Sequence, residues 1–253
     1  MEYEAIVQKW RQRNLTEKED LQRMLSQYAV DFAYHSGKIE NDDICYRDVY
    51  KIFQTGQAPC SDADARTLLE IQNAKKAYLW MLDAWEQKRP ITQDFVKELH
   101  KTLMQGVYDA TKTARSEQPG AYKQHDYVVG KHETGAPPED VAMEMQELLE
   151  EVQSVAPQHV FTAAAYLHAK LENIHPFADG NGRTGRLLTN YFLLCNNHPP
   201  LIVHEQSRTE YYAALNKFDT HLQLSELQTY LKKQLVETWE KEIFYFVKDG
   251  TSQ

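Results

Sequence analysis

Four residues whose side chains can do chemistry lie close together in the segment 175–186, which reads HPFADGNGRTGR. His175 can accept a proton near neutral pH. Asp179 offers a hard oxygen ligand of the kind that Mg²⁺ prefers when it bridges phosphates. Arg183 and Arg186 are three residues apart and would share one face of a helix. Cations near a helix N-terminus oppose the macrodipole by roughly 0.3–1 kcal/mol each, so the pair predicts a bound anion. The segment therefore indicates phosphate chemistry.

The backbone of the same segment also favours an anion site. Pro176 disfavours α-helical geometry in His175, so a preceding helix should end there. Gly180 and Gly182 permit turns that a Cβ would forbid, and a new helix should begin near Arg183. Such a glycine loop presents unpaired N–H groups to an anion. It is not a Walker A loop, because no GK[ST] follows.

Two other interpretations of this region stay open. His168, Glu172 and His175 are spaced i, i+4 and i+7, which is typical of a metal-binding helix face. We favour this less, because Pro176 would end the helix and the glycine–arginine loop would be left unexplained. The two arginines could also be ordinary solvated charges, and Phe177 is expected to be a core anchor.

The composition limits the class of protein. Of 253 residues, 42% are apolar and 26% charged, which excludes intrinsic disorder and suits one large domain or two modest ones. No apolar run approaches the ~18 residues of a membrane span. With 28 basic and 37 acidic residues, the net charge of −9 argues against broad nucleic-acid binding. Three cysteines without a CxxC pair, and an N-terminus without an apolar segment, predict a reduced, cytoplasmic protein.

The periodicity of apolar residues predicts a mainly helical chain. Only ten Gly and nine Pro interrupt it. Thr92 looks like the N-cap of a helix that buries Phe95, Val96, Leu99 and Leu103. Further helices are predicted over 62–87, 139–154, 159–174, 183–196, 208–217 and 225–246. The one segment with strand character, 122–130, predicts a small β-hairpin ending before Pro137-Pro138. We expect an all-α fold with one hairpin, an N-terminal helical extension over 1–61 and a core over 62–253.

The segment 175–186 matches in full the signature HxFx[D/E]GNGRxxR of the Fic (filamentation induced by cAMP) family. The chain resembles this family from about Asp62 to Leu231, including the lead-in PGAYK at 119–123. The family fold is a bundle of α-helices with a β-hairpin flap beside the active loop, which agrees with the periodicity. The resemblance implies a transferase that moves AMP from ATP to a Ser, Thr or Tyr hydroxyl of a protein (AMPylation). His175 would deprotonate the hydroxyl, and Asp179 would hold Mg²⁺ or Mn²⁺ against the phosphates.

The resemblance also implies how ATP is held. Backbone amides of Gly180, Asn181 and Gly182 would form the anion hole, with the Asn181 side chain on the α-phosphate. Arg183 would contact the β-phosphate and Arg186 the γ-phosphate. Such a displacement at phosphorus needs mainly positioning and charge neutralisation.

The adenine pocket is less well defined by the sequence. Tyr211 sits where the family lines this pocket, with support from the hairpin. Asp219 stands where some relatives carry an adenine-binding Asn.

A second motif, SGKIEN, lies at 36–41. Taken alone, it predicts the end of a helix over Tyr28–His35 that is broken by Gly37, with Glu40 on the surface. Beside a Fic signature it resembles the inhibitory pattern [S/T]xxxE[G/N] of the class whose inhibitory helix precedes the catalytic core. Ser36 and Glu40 would then restrain Arg186, and a bidentate pair with Glu40 would exclude the γ-phosphate. In some relatives the same glutamate supports removal of AMP.

Other functions and partners stay open at this stage. The same fold could use UTP or another donor, or the chain could be a nucleotide-binding regulatory module with little catalysis. A protein target would dock along the flap near 122–136, because a hairpin edge can pair with an extended segment while reading little of its sequence. We expect no nucleic-acid or membrane partner, and either a monomer or a homodimer.

Overall fold

The computed structural model describes residues 2–57, 63–127, 135–153 and 155–246, and this part of the chain is helical without a β-strand. Its α-helices are α1 (Tyr3–Gln12), α2 (Lys18–Met24), α3 (Ser26–Glu40), α4 (Tyr46–Thr55), α5 (Ala65–Glu86), α6 (Gln93–Met104), α7 (Ala110–Ala114), α8 (Val141–Gln153), α9 (Val160–Ile174), α10 (Asn181–Cys195), α11 (Arg208–His221) and α12 (Ser225–Phe246). Short 3₁₀ turns precede α9 and α11, at Pro157–His159 and Glu205–Ser207.

Local sequence signals account for where several helices begin. The Thr92 side chain accepts a hydrogen bond from the Phe95 N–H at 3.2 Å, so the predicted N-cap of α6 is confirmed. Asp64 caps α5 in the same way, with the Thr67 N–H 2.6 Å from Oδ1. An N-cap satisfies a backbone donor that has no partner inside the helix. Because the described residues form helices and no β-strand, the predicted all-α class is confirmed.

The centre of the bundle is the pair α9 and α10. Every residue from Thr184 to Leu194 is buried, which is expected of a helix that is surrounded on all sides. Small residues of α9 allow close packing against its neighbours; Ala164 is 1% exposed and Ala169 is fully buried. The N-terminal helices share this core, since the Trp10 ring lies 5.3 Å from that of Trp239 in an edge-on arrangement. The loop between α9 and α10 is thereby fixed at both ends.

The segment of the SGKIEN motif, 36–41, differs from the expectation based on Gly37. Helix α3 does not break there but continues to Glu40, with Asn41 as its C-cap. A Cβ on Gly37 would lie 2.7 Å from Cδ1 of Ile44. The glycine thus permits close packing of the segment after α3 rather than ending the helix. Because α3 continues, Ser36 and Glu40 lie one turn apart on the same face.

The tip of the predicted hairpin flap, at 128–134, lies outside the described residues, as do Cys60 and the expected domain boundary at 61/62. The two ends of the flap segment are well defined. The Lys123 N–H donates to the Pro176 carbonyl and the Ala136 N–H to the Ile174 carbonyl, each at 2.9 Å. The two ends of the segment predicted to form the flap are therefore anchored on both sides of His175. Within the described residues, no helix is both long and apolar enough to span a bilayer.

Candidate active site

His175 occupies the C-cap of α9 with φ +50° and ψ +61°. Pro176 excludes the right-handed conformation, and the left-handed one is rare for a residue with a Cβ. Nδ1 is buried and has no hydrogen-bond partner among the described residues. Burial, followed by the positive charge of Lys123, lowers the pKa of His175 to about 4. The imidazole is therefore neutral at pH 7 and can accept a proton.

The loop after His175 is closed by Asn181. Its Oδ1 accepts from the Phe177 N–H at 2.9 Å, and its Nδ2 donates to the Phe177 carbonyl at 2.8 Å. Phe177 is fully buried, so its predicted role as a core anchor is confirmed. Gly180 has φ +80° and precedes α10, which begins at Asn181, two residues before the predicted start. Both polar atoms of the Asn181 side chain are used to shape the loop, and its role on the α-phosphate stays a prediction.

Gly182 is helical and needs no unusual backbone, in contrast to the prediction. A Cβ here would collide with Oε1 of Glu40 and lie 2.9 Å from Nη1 of Arg186. The glycine instead makes room for the Glu40 carboxylate directly over the first turn of α10.

Asp179 is surrounded by positive charge. Its Oδ1 accepts from the Gly180 N–H at 2.7 Å and from Nη2 of Arg183 at 3.2 Å. Its Oδ2 lies 3.4 Å from Nζ of Lys112 and 4.0 Å from Nη2 of Arg66. The side chain is 27% exposed and therefore accessible. The same cations also contact other carboxylates, since Arg66 and Arg183 lie 3.2 and 3.7 Å from Glu70 and Lys112 lies 3.1 Å from Asp109, so the charges at this end of the site form a paired network.

Arg186 is 3% exposed and its guanidinium points to α3. Nη2 donates to Oε1 of Glu40 at 2.7 Å and to the Ser36 carbonyl at 2.9 Å, while Nε donates to Oγ of Ser36 at 3.0 Å. The sequence-based pairing of Arg186 with Glu40 is present, but as a single Nη2–Oε1 contact rather than a bidentate one. Ser36 thus accepts from Nε and Nη2, and Nη1 lies 3.5 Å from the Tyr211 hydroxyl; these partners matter because a buried cation without them is strongly destabilising.

Tyr211 is 1% exposed and lies beneath Arg186. Its hydroxyl is 2.7 Å from Nε2 of His168 and 3.5 Å from Nη1 of Arg186. The tyrosine therefore supports the arginine from within the core, and its contact with adenine stays a prediction. Asp219 accepts a hydrogen bond from Nδ2 of Asn173 at 3.0 Å.

The alternative metal face on α9 is not assembled. His168 is engaged by the Tyr211 hydroxyl, and His175 has left the helix. Burial raises the pKa of Glu172 to about 8, so this carboxyl is largely protonated at pH 7. The described residues contain no group of three side chains arranged to hold a metal ion.

Several residues of the site were missed by the sequence reasoning. Glu70 is 7% exposed and lies 3.7 Å from Nη1 of Arg183, and it also accepts from Nδ2 of Asn41 at 2.9 Å. It thus joins the end of α3 to the active loop. A cavity of about 330 Å³ opens beside it, lined by Glu40, Asn41, Asp43, Asp64, Arg66, Thr67, Glu70, Asp179 and Arg183. Glu70 and Lys112 carry no sequence signal, because they reach the site only through helix packing.

A sequence profile of the Fic/DOC family matches residues 90–193, which include the loop and the helices on both sides of it. The chain belongs to the Fic/DOC family. It is 33% identical over 184 residues to "Protein adenylyltransferase Fic" of Drosophila persimilis, covering 71% of this chain and 34% of the Drosophila protein. For the protein of the same name from Nematostella vectensis, the identity is 30% over 203 residues, covering 78% and 45%. The chain thus spans less than half the length of these relatives.

Solved structures support the same fold. A Fic-domain-containing signalling protein from Bacteroides thetaiotaomicron superposes with a TM-score of 0.78, at 23% identity, over 94% of both chains. This coverage includes the N-terminal helices as well as the Fic core. The likeness therefore extends to nearly the whole helical arrangement of this Fic-family chain.

Proposed function

We propose that this Fic-family chain is an autoinhibited protein adenylyltransferase that transfers AMP from ATP to Ser, Thr or Tyr hydroxyls of target proteins and of itself. The observation that carries the proposal is the neutral His175 at one edge of a glycine loop that places Asp179 and Arg183 together at the N-terminus of α10. The names of the relatives agree with it. Removal of AMP, cytoplasmic location and the monomeric or homodimeric state stay predictions.

The reaction follows from the protonation state of His175. Its neutral imidazole takes the proton of the target hydroxyl, whose oxygen forms a bond to the α-phosphorus. The bond between the α-phosphorus and the oxygen that bridges to the β-phosphate breaks, and pyrophosphate leaves. Arg183 and Lys112 lie near Asp179 and would neutralise the charge that develops on the leaving group.

Asp179 fits a magnesium ion that arrives with the nucleotide. Mg²⁺ is usually bound by one or two carboxylates together with substrate phosphates, so one accessible carboxylate is sufficient. The Asp179 side chain is 27% exposed and meets this need, whereas the described residues contain no complete protein-built metal cluster. When bound, Mg²⁺ would neutralise phosphate charge.

The inhibition follows from the contacts of Arg186. The contact between Nη2 and Oε1 of Glu40 would have to open before a γ-phosphate could take the place of that carboxylate on the guanidinium. A triphosphate that lacks this contact would bind without aligning its α-phosphorus for attack. In our proposal, Glu40 therefore keeps the AMP-transfer activity of the resting enzyme low.

Intact-protein mass spectrometry after incubation with ATP and Mg²⁺ tests the proposal. We expect Glu40→Gly to gain the mass of one or more AMP groups, and wild type and Glu40→Gly/His175→Ala to gain little or none. Asp42→Gly is a matched control, because this acid lies two residues from Glu40 and pairs with Arg208 at the surface instead. A gain that persists without His175 would overturn the mechanism. Modification of Glu40→Gly by UTP but not by ATP would reject adenylyl transfer in favour of another donor.

A further inference from the structure

His100 of α6 lies at the junction of three segments and is fully buried. Its Nε2 is 2.8 Å from the carbonyl oxygen of Asp179 in the active loop. Its Nδ1 is 2.8 Å from the backbone nitrogen of Gly120, in the segment that leads into the flap. Its ring stacks on Phe177 with centroids 3.7 Å apart and planes within 4°. The imidazole is therefore fixed in position and in orientation.

The two backbone partners determine where the imidazole proton lies. The Gly120 N–H is a donor, so Nδ1 must accept and carries no hydrogen. A carbonyl oxygen only accepts, so Nε2 carries the hydrogen and donates it to Asp179. One neutral tautomer satisfies both contacts, and a second proton would break the bond to Gly120.

The peptide unit between Asp179 and Gly180 connects His100 to the carboxylate. The carbonyl of this unit accepts from His100, while its N–H donates to Oδ1 of Asp179 itself at 2.7 Å. Any rotation of the unit would therefore move the carboxylate. The neighbouring carbonyls of Phe177 and Gly180 are bonded within the loop and α10, to Asn181 and Thr184. His100 thus holds the intervening unit from outside the loop.

We propose that His100 is a positioning residue of the nucleotide site: it fixes the Asp179–Gly180 peptide unit and so orients the Asp179 carboxylate toward a divalent cation bound with the triphosphate. The inference rests on the proposed function. It also ties the cation site to the lead-in of the flap, through Gly120. Loss of a group that orients a metal ligand typically costs about 10–100-fold in metal affinity or activity.

Two substitutions of similar size separate the contacts, and both are made in the full chain carrying Glu40→Gly. In His100→Asn, the amide oxygen can still accept from Gly120, but the side chain is too short to reach Asp179. In His100→Gln, the longer side chain restores a donor to Asp179. We expect His100→Asn to raise the Kd for Mn²⁺, followed by electron paramagnetic resonance with a non-hydrolysable ATP analogue, by about 10–100-fold. His100→Gln should recover most of this loss.

Amide hydrogen exchange of the nucleotide-free proteins gives a second readout. We expect faster exchange in peptides covering 177–183 for His100→Asn, with rates near those of the parent for His100→Gln. Equal Mn²⁺ affinity in the parent and His100→Asn, or unchanged exchange in 177–183, would overturn the inference. Equal defects in both variants would reduce His100 to a packing residue and also overturn it. If the parent binds no metal–nucleotide, the proposed function fails, whereas the exchange data still decide the positioning role.

Discussion

The contacts of Arg186 divide between a side chain and a backbone, and under the proposed autoinhibition this division sets how strongly α3 restrains the arginine. Glu40 supplies the charge, and Ser36 supplies both a hydroxyl and a carbonyl. The carbonyl contact depends only on the position of α3. Removing one side chain should therefore weaken the inhibition by degrees.

Ser36→Ala tests this graded behaviour. It leaves the Nε–H of a buried arginine without a partner, which costs about 1–3 kcal/mol in the resting state. A change of 1–2 kcal/mol shifts a two-state equilibrium roughly 5–30-fold, so AMP transfer should rise, though less than for Glu40→Gly. Rates of incorporation from labelled ATP measure the effect. Ser26→Ala, on an exposed residue of the same helix, is the control, and a Ser36→Ala protein as quiet as wild type would contradict the prediction.

At this scale the sequence predicts only part of the site. His175, Asp179, Arg183 and Arg186 could be found because they lie in one short segment whose spacing relates them. Glu70 on α5 is not adjacent to that segment, and it meets Arg183 only after the helices pack. No local pattern encodes such a meeting, and the same holds for His100.

Among the elements, α3 shows why a glycine can sit inside a helix. A Cβ at Gly37 would press on Cδ1 of Ile44, which is 2% exposed and has little room to move. Glycine is less favourable than alanine in a helix by roughly 1 kcal/mol. The chain thus carries a weaker helix in exchange for a close contact with the segment before α4.

A double-mutant cycle tests this explanation. Gly37→Ala alone should gain helix stability but lose packing, since overfilling a core typically costs about 1–3 kcal/mol. In an Ile44→Val background, which lacks Cδ1, the same alanine should be more favourable by about 1 kcal/mol or more. Urea unfolding of the four proteins measures the coupling energy. Additive effects would show that Ile44 is not the reason for the glycine.

The helices themselves were largely predictable, since their apolar period follows from burial of one face. Helix α8, for example, covers Val141–Gln153 where 139–154 was predicted. The predicted end of α3 is wrong because the prediction treats Gly37 by its local helix propensity, whereas its contact with Ile44 decides its role. The predicted start of α10 lies two residues after the observed one, because Asn181 closes the loop with its side chain while its backbone is already helical.

The whole molecule buries several neutral histidines, which makes its stability sensitive to acid. Burial lowers the pKa of His100 and His198 to about 4 and that of His168 to about 3. Each has an ordinary pKa near 6.5 when unfolded, so between these values the unfolded chain binds more protons. The stabilisation is therefore complete above pH 6.5 and is lost as the pH falls toward the folded values.

Because the unfolded chain binds more protons in this range, the free energy of unfolding should depend measurably on pH. Each of these histidines should cost about 2 kcal/mol of unfolding free energy between pH 7 and pH 5. Urea unfolding at the two pH values measures the sum of these losses, reduced by the opposite effect of Glu172, whose raised pKa makes the folded chain bind that proton first. His198→Gln, far from the active loop, should reduce the difference in unfolding free energy between the two pH values by about 2 kcal/mol, the contribution of one histidine. The prediction fails if stability is the same at both pH values.

The contact between Arg186 and Glu40 joins residues 146 positions apart, and the carboxylate comes first in the chain. A ribosome therefore releases α3 well before it makes the loop and α10. Glu40 is thus already part of the chain when Arg186 is synthesised. Under the proposed autoinhibition, a newly made chain reaches its restrained state as soon as α10 packs against α3.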